Sequence, residues 1–184
     1  MSNITKKAMA QSLKKMLIVK ELDKITITDI TNDCGINRQT FYYHFKDIYD
    51  LLEWIFANEV VEKIEKETTI ETWQDNFKYV LDYMLKNKKF IIKTYNSLSR
   101  KTLLDFLFNQ YNTIFIEIVN DLSKNYNITK ENKIFIANFY KYAFAGIIEN
   151  WIVTEMKESP ESIIKKLDVM ISGCFEEAVR KMSN

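Results

Sequence analysis

The scarcity of turn-forming residues is the feature that most restricts the fold of this chain. Its 184 residues include only three glycines and one proline. Because strands in sandwiches and barrels need turn residues about every 8–12 positions, a fold built from strands is excluded. Gly35, Gly146 and Gly173 also lie too far apart to form the phosphate-binding loop of a nucleotide-dependent enzyme. With 47% hydrophobic residues, the chain is predicted to be all-α, with a buried core and short connections.

Positive charge is concentrated near the N-terminus. The whole chain has a net charge of +1, whereas residues 1–46 contain eight basic and four acidic side chains. The remainder of the chain is therefore mildly acidic. A basic segment followed by an acidic body indicates a polyanionic partner for the N-terminal segment.

Histidine and cysteine are too few to support the common catalytic or metal-binding arrangements. His44 is the only histidine, so a site with several imidazoles cannot be built. Cys34 and Cys174 have no metal-ligand spacing, and we expect both to be reduced and packed as small hydrophobic residues. We predict no catalytic residue, no metal and no cofactor. The alternative from another class, a small helical enzyme or carrier, needs an ionisable cluster in a cleft.

The sequence shows no segment that points to a membrane. Its longest stretch without a charged residue, 106–116, has 11 residues and falls short of the roughly 18–20 needed to cross a bilayer. The N-terminus has no apolar run of the kind found in signal peptides. We expect a cytoplasmic protein with no membrane partner.

Helical periodicity covers nearly the entire chain, and capping residues mark several helix starts. Thr26 with Asp29 forms the pattern of a capping box, and Gly35 is placed to end the short helix that follows. The alternation in 25–30 also fits a strand, but a single strand has no partner in this chain. Asn37 is predicted to cap the next helix. The predicted helices, about nine, are 5–21, 27–34, 38–45, 48–66, 70–87, 88–96, 99–126, 130–157 and 160–182.

Two short helices joined by a tight turn lie within residues 26–51. The pattern is typical of a helix-turn-helix, in which the first turn of the second helix meets base edges in the major groove. In that turn, which Asn37 opens, Arg38 suits guanine, Gln39 suits adenine and the methyl group of Thr40 suits thymine. We count all four as candidate DNA-binding residues. Hydroxyl, imidazole and ammonium groups make further candidates for phosphate contacts: Thr26, Thr28, Tyr42, Tyr43, His44 and Lys46.

Simpler interpretations of these residues stay open at this point. Arg38 and Gln39 are also of the kind found solvated in the first turn of any helix. His44 suits a packing role as well as a phosphate contact. Phe41 and Phe45 are expected in the core rather than on DNA.

These residues resemble the tetracycline-repressor (TetR) family of bacterial transcription regulators. The matching pattern is Thr-x-x-Asp-Ile from Thr26, a glycine at Gly35, Thr-Phe-Tyr-x-His-Phe over 40–45 and Asp-Leu-Leu over 50–52. The resemblance implies an Ω-shaped homodimer. Its N-terminal heads bind adjacent major grooves, and its helical bodies bind effectors and dimerise.

The resemblance also suggests how the chain divides. We predict a DNA-binding domain with its connecting helix at 1–66 and a regulatory and dimerisation domain at 67–184, because 65–69 is the only plausible boundary.

Two residues depart from the family pattern. Gln39 departs from the glycine or alanine of many members. Ile48 replaces a common lysine, whose phosphate contact Lys46 is placed to make instead.

A narrower resemblance involves two further stretches. Residues 49–56 and 146–151 look like the branch of the family that includes activators of dihydroxyacetone kinase operons. Regulators of that branch answer to a protein partner that senses the metabolite. The resemblance therefore implies a partner protein as an alternative to a small-molecule effector.

Effector pockets in the family are apolar with few polar anchors, and the aromatic and polar residues of the body suit this description. Most apolar residues of these helices are expected to be core, and a few to line a cavity between helices near 70–126 and 130–150. The candidates for ligand binding are Trp73, Phe77, Tyr83, Phe108, Tyr111, Phe115, Asn138 and Tyr142.

The last predicted helix carries an apolar stripe that is wider than one partner helix needs. Together with the segment 139–151, and with Gly146 and Gly173, which permit close helix approach, the stripe predicts a four-helix dimer interface. An intrachain core is the alternative. The candidate interface residues are Gly146, Ile147, Trp151, Leu167, Met170, Ile171, Cys174 and Phe175.

We therefore predict a DNA-binding transcriptional regulator and not an enzyme. The leading version is an effector-responsive repressor that binds a palindromic double-stranded operator as a homodimer. The alternative is an activator or co-regulator whose body binds a partner protein. A closed apolar pocket in the body favours the first version, and a filled body with an exposed apolar patch favours the second.

Overall fold

Helices are the regular secondary structure of this chain throughout the residues that the computed structural model describes, which are 2–59, 69–97, 100–171 and 173–183. The predicted all-α class is confirmed. A 3-10 helix, Leu22–Lys24, follows the first α-helix. The α-helices are α1 (Ser2–Val19), α2 (Ile27–Asp33), α3 (Arg38–His44), α4 (Ile48–Glu59), α5 (Trp73–Lys86), α6 (Lys88–Tyr95), α7 (Arg100–Leu122), α8 (Lys130–Val153), α9 (Pro160–Ile171) and α10 (Cys174–Lys181).

The chain forms two compact units. The first, which we call the head, contains α1 to α4, α6 and the beginning of α7 up to residue 106. The second, the body, contains α5, the rest of α7 and α8 to α10. The predicted boundary between 66 and 67 lies outside the described residues. The division into functional domains at that point stays a prediction.

Helix α6 belongs to the head, although the sequence assigned it to the body. Its ring of Phe90 lies 5.6 Å from that of Phe56 on α4, and both side chains are buried. An ion pair between Lys93 and Glu21 links α6 to the segment after α1. The position of α6 after α5 in the sequence therefore did not indicate that α6 packs against the helices of the head.

The two short helices of the head are set by local hydrogen bonds, as predicted. The hydroxyl of Thr26 accepts from the backbone N–H of Asp29 at 3.1 Å, and the Asp29 carboxylate accepts from the backbone N–H of Thr26 at 2.8 Å. These bonds hold the pKa of Asp29 below its usual range, chiefly through the backbone N–H of Thr26. Gly35 then adopts a positive φ of 65°, which ends α2 and turns the chain toward α3.

Aromatic side chains fill the core of the body. The ring of Phe144 on α8 lies 4.9 Å from those of Phe77 on α5 and Phe115 on α7. Phe175 on α10 stacks on Tyr140 of α8, with 3.7 Å between the ring centroids. Most of the large apolar side chains of the body are therefore used within one chain.

The last predicted helix, 160–182, is two helices in the structure. Gly173 has a φ of 76°, a left-handed conformation that α-helix does not continue through. As predicted, α9 begins with Pro160, after a hydrogen bond from the backbone N–H of Ser162 to the hydroxyl of Ser159 at 3.2 Å. The helix predicted over 70–87 is α5, which begins only at Trp73.

The capping box of α2 gives a direct test of the head. Replacing Thr26 by alanine removes the hydroxyl that accepts from Asp29, so we expect Thr26→Ala to lower the free energy of unfolding by about 1 kcal/mol. Thr28→Ala, an exposed threonine in the same first turn, is the matched control and should change it much less. Urea denaturation measures both. Equal losses for the two variants would contradict the capping role of Thr26.

Candidate functional site

One face of α3 carries the side chains that are free to reach outward from the head. Arg38, Gln39, Tyr42 and Tyr43 are all exposed and fall on the same side of the helix. On the opposite side, Phe41 is fully buried in the head. The helix therefore presents a guanidinium, an amide and two phenols while its other side holds it to the core.

Three of the predicted DNA-binding residues use their side-chain oxygens in hydrogen bonds within the chain. The side-chain carbonyl of Asn37 accepts from the backbone N–H of Thr40 at 2.8 Å and from its hydroxyl at 3.0 Å. The Thr26 hydroxyl accepts from the backbone N–H of Asp29 at 3.1 Å and donates to the Asp29 carboxylate at 2.9 Å. These hydrogen bonds set the first turns of α2 and α3. Thr40, whose methyl group was predicted to contact thymine, is half-buried.

The remaining candidates differ in exposure. Thr28 and Lys46 are exposed, whereas His44 is half-buried. The imidazole lies 4.9 Å from the ring of Tyr43 and 6.3 Å from that of Phe45, so the packing interpretation of His44 has structural support. The backbone N–H of Lys46 donates to the carboxylate of Asp50 at 2.9 Å. This bond uses only the backbone of Lys46, so the ammonium group takes no part in it.

Arg38 and Tyr42 contact each other along the exposed face of α3. A terminal nitrogen of Arg38 donates to the Tyr42 hydroxyl at 3.2 Å. The guanidinium carbon lies 5.9 Å from the centre of the Tyr42 ring, within the range of a cation–π contact. The two side chains are one helical turn apart, which is the spacing that brings side chains together on a helix surface.

The basic residues of the head fall into two groups. Lys15 and Lys20 approach acidic residues of α2, at 2.9 Å from Asp33 and 3.9 Å from Asp29 respectively. The ammonium of Lys6 instead lies 5.6 Å from the ring of Phe45, next to the end of α3. Sequence reasoning did not include Lys6 in the site, because its place beside α3 comes from packing between distant helices.

A small aromatic cavity lies inside the body. It has a volume of about 20 Å³, close to what one water molecule requires. Four of the predicted ligand-binding residues line it together with four other side chains. The lining residues are Trp73, Asn76, Phe77, Val80, Tyr111, Ile114, Phe115 and Phe144.

Tyr111 is the unusual member of this cavity. Its hydroxyl is fully buried and has no hydrogen-bond partner among the described residues. Burial also raises the pKa of this phenol far above its usual range, so the group stays neutral. An unpaired buried hydroxyl is costly, and it is therefore a feature that a molecule in the cavity would relieve.

The other four predicted ligand-binding residues lie away from this cavity. Tyr142 is exposed, and its ring packs on Phe108 at 5.4 Å. Tyr83 and Asn138 are half-buried and do not line it. The sequence could not select among these residues because α7 and α8 carry apolar side chains on several sides.

A second cavity of about 150 Å³ lies elsewhere in the body. Its polar side includes Asp168, whose carboxylate accepts from the side-chain amide of Gln74 at 2.6 Å. Trp73 lines this cavity as well as the aromatic one. None of the other predicted ligand-binding residues contributes to it.

Four of the predicted dimer-interface residues are buried within the chain, which supports the alternative of an intrachain core for them. Phe175 is only 2% exposed and stacks on Tyr140. The indole N–H of Trp151 donates to the backbone carbonyl of Glu158 at 2.8 Å. Leu167 and Ile171 are buried too. These side chains are core of the body, and a charge at any of them is expected to disturb folding.

The exposed apolar surface lies on the outer face of α8 instead. Phe139 is 63% exposed, and the other members of the face follow it at helical spacing. Of the predicted interface residues, Gly146 and Cys174 are exposed, Ile147 is half-buried, and Met170 on α9 is 72% exposed. The exposed apolar or small residues of the α8 face are Phe135, Phe139, Tyr142, Gly146 and Val153.

Within the part of the chain that the structure describes, no group of three or more histidine, cysteine, aspartate or glutamate residues is arranged to hold a metal ion. None of the helices in that part combines the length and the apolar character that spanning a bilayer would require.

Sequence comparison relates this geometry to known regulators. The TetR_C_8 profile, which describes a transcriptional regulator C-terminal region, matches residues 71–173, more than half of the chain. The chain is also 28% identical over 154 residues to the HTH-type dhaKLM operon transcriptional activator DhaS of Lactococcus lactis subsp. lactis (strain IL1403). That match covers 83% of this chain and 81% of the relative.

Two solved structures share the fold. The dihydroxyacetone kinase operon activator DhaS has a TM-score of 0.71 at 24% identity, covering 98% of this chain and 99% of that one. NalD, the secondary repressor of the MexAB-OprM multidrug efflux pump in Pseudomonas aeruginosa, has a TM-score of 0.58 at 13% identity. It covers 100% of this chain and 98% of its own. At these identities the likeness shows the fold alone.

The matched family and the curated relative are transcriptional regulators that bind DNA, not enzymes. The chain belongs to the TetR family of these regulators. Members of the family bind DNA and typically act as dimers. The resemblance noted in the sequence is thereby confirmed.

The unpaired hydroxyl in the aromatic cavity generates a test. Replacing Tyr111 by phenylalanine keeps the ring and removes the buried group that lacks a partner. We expect Tyr111→Phe to raise the free energy of unfolding by about 1 kcal/mol, measured by urea denaturation. A loss of stability would show instead that the hydroxyl is hydrogen-bonded in solution.

Proposed function

We propose that this regulator binds its operator through the exposed face of α3. The observation that carries the proposal is the division of α3 into a buried side, with Phe41, and an exposed side, with Arg38 and Gln39 at its first turn. That turn is the part of a recognition helix that meets base edges. Arg38 would read guanine, and Gln39 would read adenine.

Phosphate contacts fall to groups around this face. Lys46 and Tyr43 are exposed beyond the first turn, and Thr28 is exposed on α2. The ammonium of Lys6 adds a positive charge beside the end of α3. Such contacts position the protein on the duplex without reading its sequence. Thr26, Asn37, Thr40 and His44 would contribute mainly by holding the two helices in place.

A homodimer is the assembly that suits this surface. The apolar face of α8 runs along five turns of the helix and is exposed in the single chain. Gly146, the fourth of the five residues of this face, has no atom within 4 Å of the position that a Cβ would occupy, so a second helix can approach closely there. We infer that a second copy of the chain covers this face, as the typical dimers of the family suggest. Two heads would then bind a palindromic operator.

The regulatory input has two candidate forms. An effector-responsive repressor needs a ligand site in the body, and the aromatic cavity lined by Trp73, Phe77, Tyr111 and Phe115 is the candidate for it. Its volume of about 20 Å³ is far below the roughly 300–1,000 Å³ of ordinary ligand pockets, so a ligand would have to displace side chains.

The small volume of the aromatic cavity favours the second form, an activator or co-regulator that responds to a partner protein. The curated relative is a transcriptional activator by name, which agrees with this form. The two forms differ in what must be added to the purified protein to change its operator affinity. A small molecule suffices in the first, and a second protein is required in the other.

Contacts to bases and contacts to phosphates should respond differently to substitution. Arg38→Ala should weaken binding to the operator by ~1–3 kcal/mol and binding to random DNA much less. Lys46→Ala should weaken both by a similar factor and lower the salt dependence by about one unit per subunit. Titration of each variant against operator and scrambled duplexes at several salt concentrations measures both. Equal weakening by Arg38→Ala on the two duplexes would contradict the placement of α3.

The proposed interface predicts the effect of a single acidic side chain. Phe139→Glu places an unpaired charge where a second copy would exclude water, so the variant should be a monomer. Analytical ultracentrifugation should give roughly twice 21.9 kDa for the unmodified chain and about 21.9 kDa for the variant. Val19→Glu is the matched control, because Val19 is 78% exposed on the head. A dimeric Phe139→Glu would contradict the α8 interface.

A further inference from the structure

The contact between Arg38 and Tyr42 changes the role that the sequence suggested for the tyrosine. Tyr42 was predicted to contact phosphate, which would make it indifferent to base sequence. In the structure its hydroxyl accepts a hydrogen bond from Arg38 at 3.2 Å, and its ring lies beside the guanidinium. The side chain therefore touches the group that is proposed to read a base.

The chemistry of the pair leaves both partners available to DNA. A hydroxyl accepts from arginine while keeping its own proton as a donor, and a guanidinium has five N–H groups, of which this bond uses one. Arg38 has no carboxylate partner in the described part of the chain, so its charge is not neutralised there. Its remaining donors can pair with the two acceptors that guanine presents in the major groove.

Restricting the arginine in advance matters because its side chain is long and flexible. A free arginine loses rotamer freedom when it forms a bidentate contact, and a side chain that is already held loses less. The ring of Tyr42 is itself supported by Phe41, the buried residue of α3, with an edge-on contact at 5.9 Å between centroids. The core of the head thus supports the tyrosine, which in turn holds the arginine.

We propose that Tyr42 is a positioning residue for base recognition, which sets the preference of Arg38 for guanine. The inference rests on the proposed function, because it requires Arg38 to face a base. It goes further in assigning sequence specificity to a residue that does not itself read the base. Its effect should therefore appear at one position of each half-site and nowhere else.

Tyr43 provides a matched comparison on the same helix. It is the next residue, carries the same phenol and is 83% exposed. Its ring packs on His44, at 4.9 Å between centroids. Removal of either hydroxyl can weaken phosphate contacts, but only the Tyr42 hydroxyl contacts Arg38 among the described residues. Comparing the two phenylalanine variants separates positioning from a loss of affinity on all sequences.

The test is a selection from randomised duplexes that span two half-sites, followed by sequencing. It compares the full-length chain with Arg38→Ala, Tyr42→Phe and Tyr43→Phe. The position at which Arg38→Ala abolishes a guanine preference identifies the base that Arg38 reads. We expect Tyr42→Phe to lower the guanine preference there by about threefold to tenfold, with all other positions unchanged. Tyr43→Phe should leave the preference at that position as it is.

Two results would overturn the inference in distinguishable ways. If Arg38→Ala abolishes a guanine preference but Tyr42→Phe selects the same sequences as the unmodified chain, Tyr42 is not a positioning residue and the proposed function stands. If Arg38→Ala also selects unchanged sequences, Arg38 does not read a base. The proposed recognition face then fails together with the role of Tyr42.

Discussion

The attachment of α3 to the core of the head is the constraint on which the proposed DNA-binding surface depends. A helix of seven residues is not stable alone in water, because isolated helices need at least about 12–15 residues to be even marginal. Asn37 closes its first turn by hydrogen bonds to Thr40, and Phe41 and Phe45 bury its inner side. Because the inner side holds the helix in place, the outer side chains are not needed to stabilise it. Among them, Arg38 and Tyr42 contact each other.

The body is organised by a similar division between inner and outer faces. Its aromatic core uses Phe77, Phe115 and Phe144 on three helices and leaves room for about one water molecule. On the outer face of α8, Phe135 and Phe139 are more than half exposed, whereas Tyr142 packs on Phe108 of α7. An exposed apolar face of this kind suits a protein whose body works chiefly through contacts with other chains.

The sequence predicted the features that depend on neighbouring residues. The capping box of Thr26 with Asp29, the turn at Gly35 and the cap at Asn37 each involve groups within a few positions, and all are present. Features that depend on distant packing were harder to predict. Trp151 and Phe175 are large aromatic residues of the kind found in interfaces and in cores alike. Whether they face their own core or a partner depends on which helices cover them.

The same limit explains the other differences. Helix α6 packs in the head because Phe90 meets Phe56, a contact that no local pattern announces. The contact between Arg38 and Tyr42 lies at a spacing visible in the sequence, yet many pairs share that spacing without touching. By contrast, a break in the last helix at Gly173 was open to prediction from the glycine alone.

The central claim is that α3 lies in the major groove with Arg38 against guanine. The N7 atom of guanine lies in that groove, so its protection from methylation by dimethyl sulfate tests the claim directly on a selected operator duplex. The account predicts one protected guanine in each of two half-sites about 10 base pairs apart, and exposure of the same guanines with Arg38→Ala. A bound complex in which every guanine N7 stays reactive would contradict it.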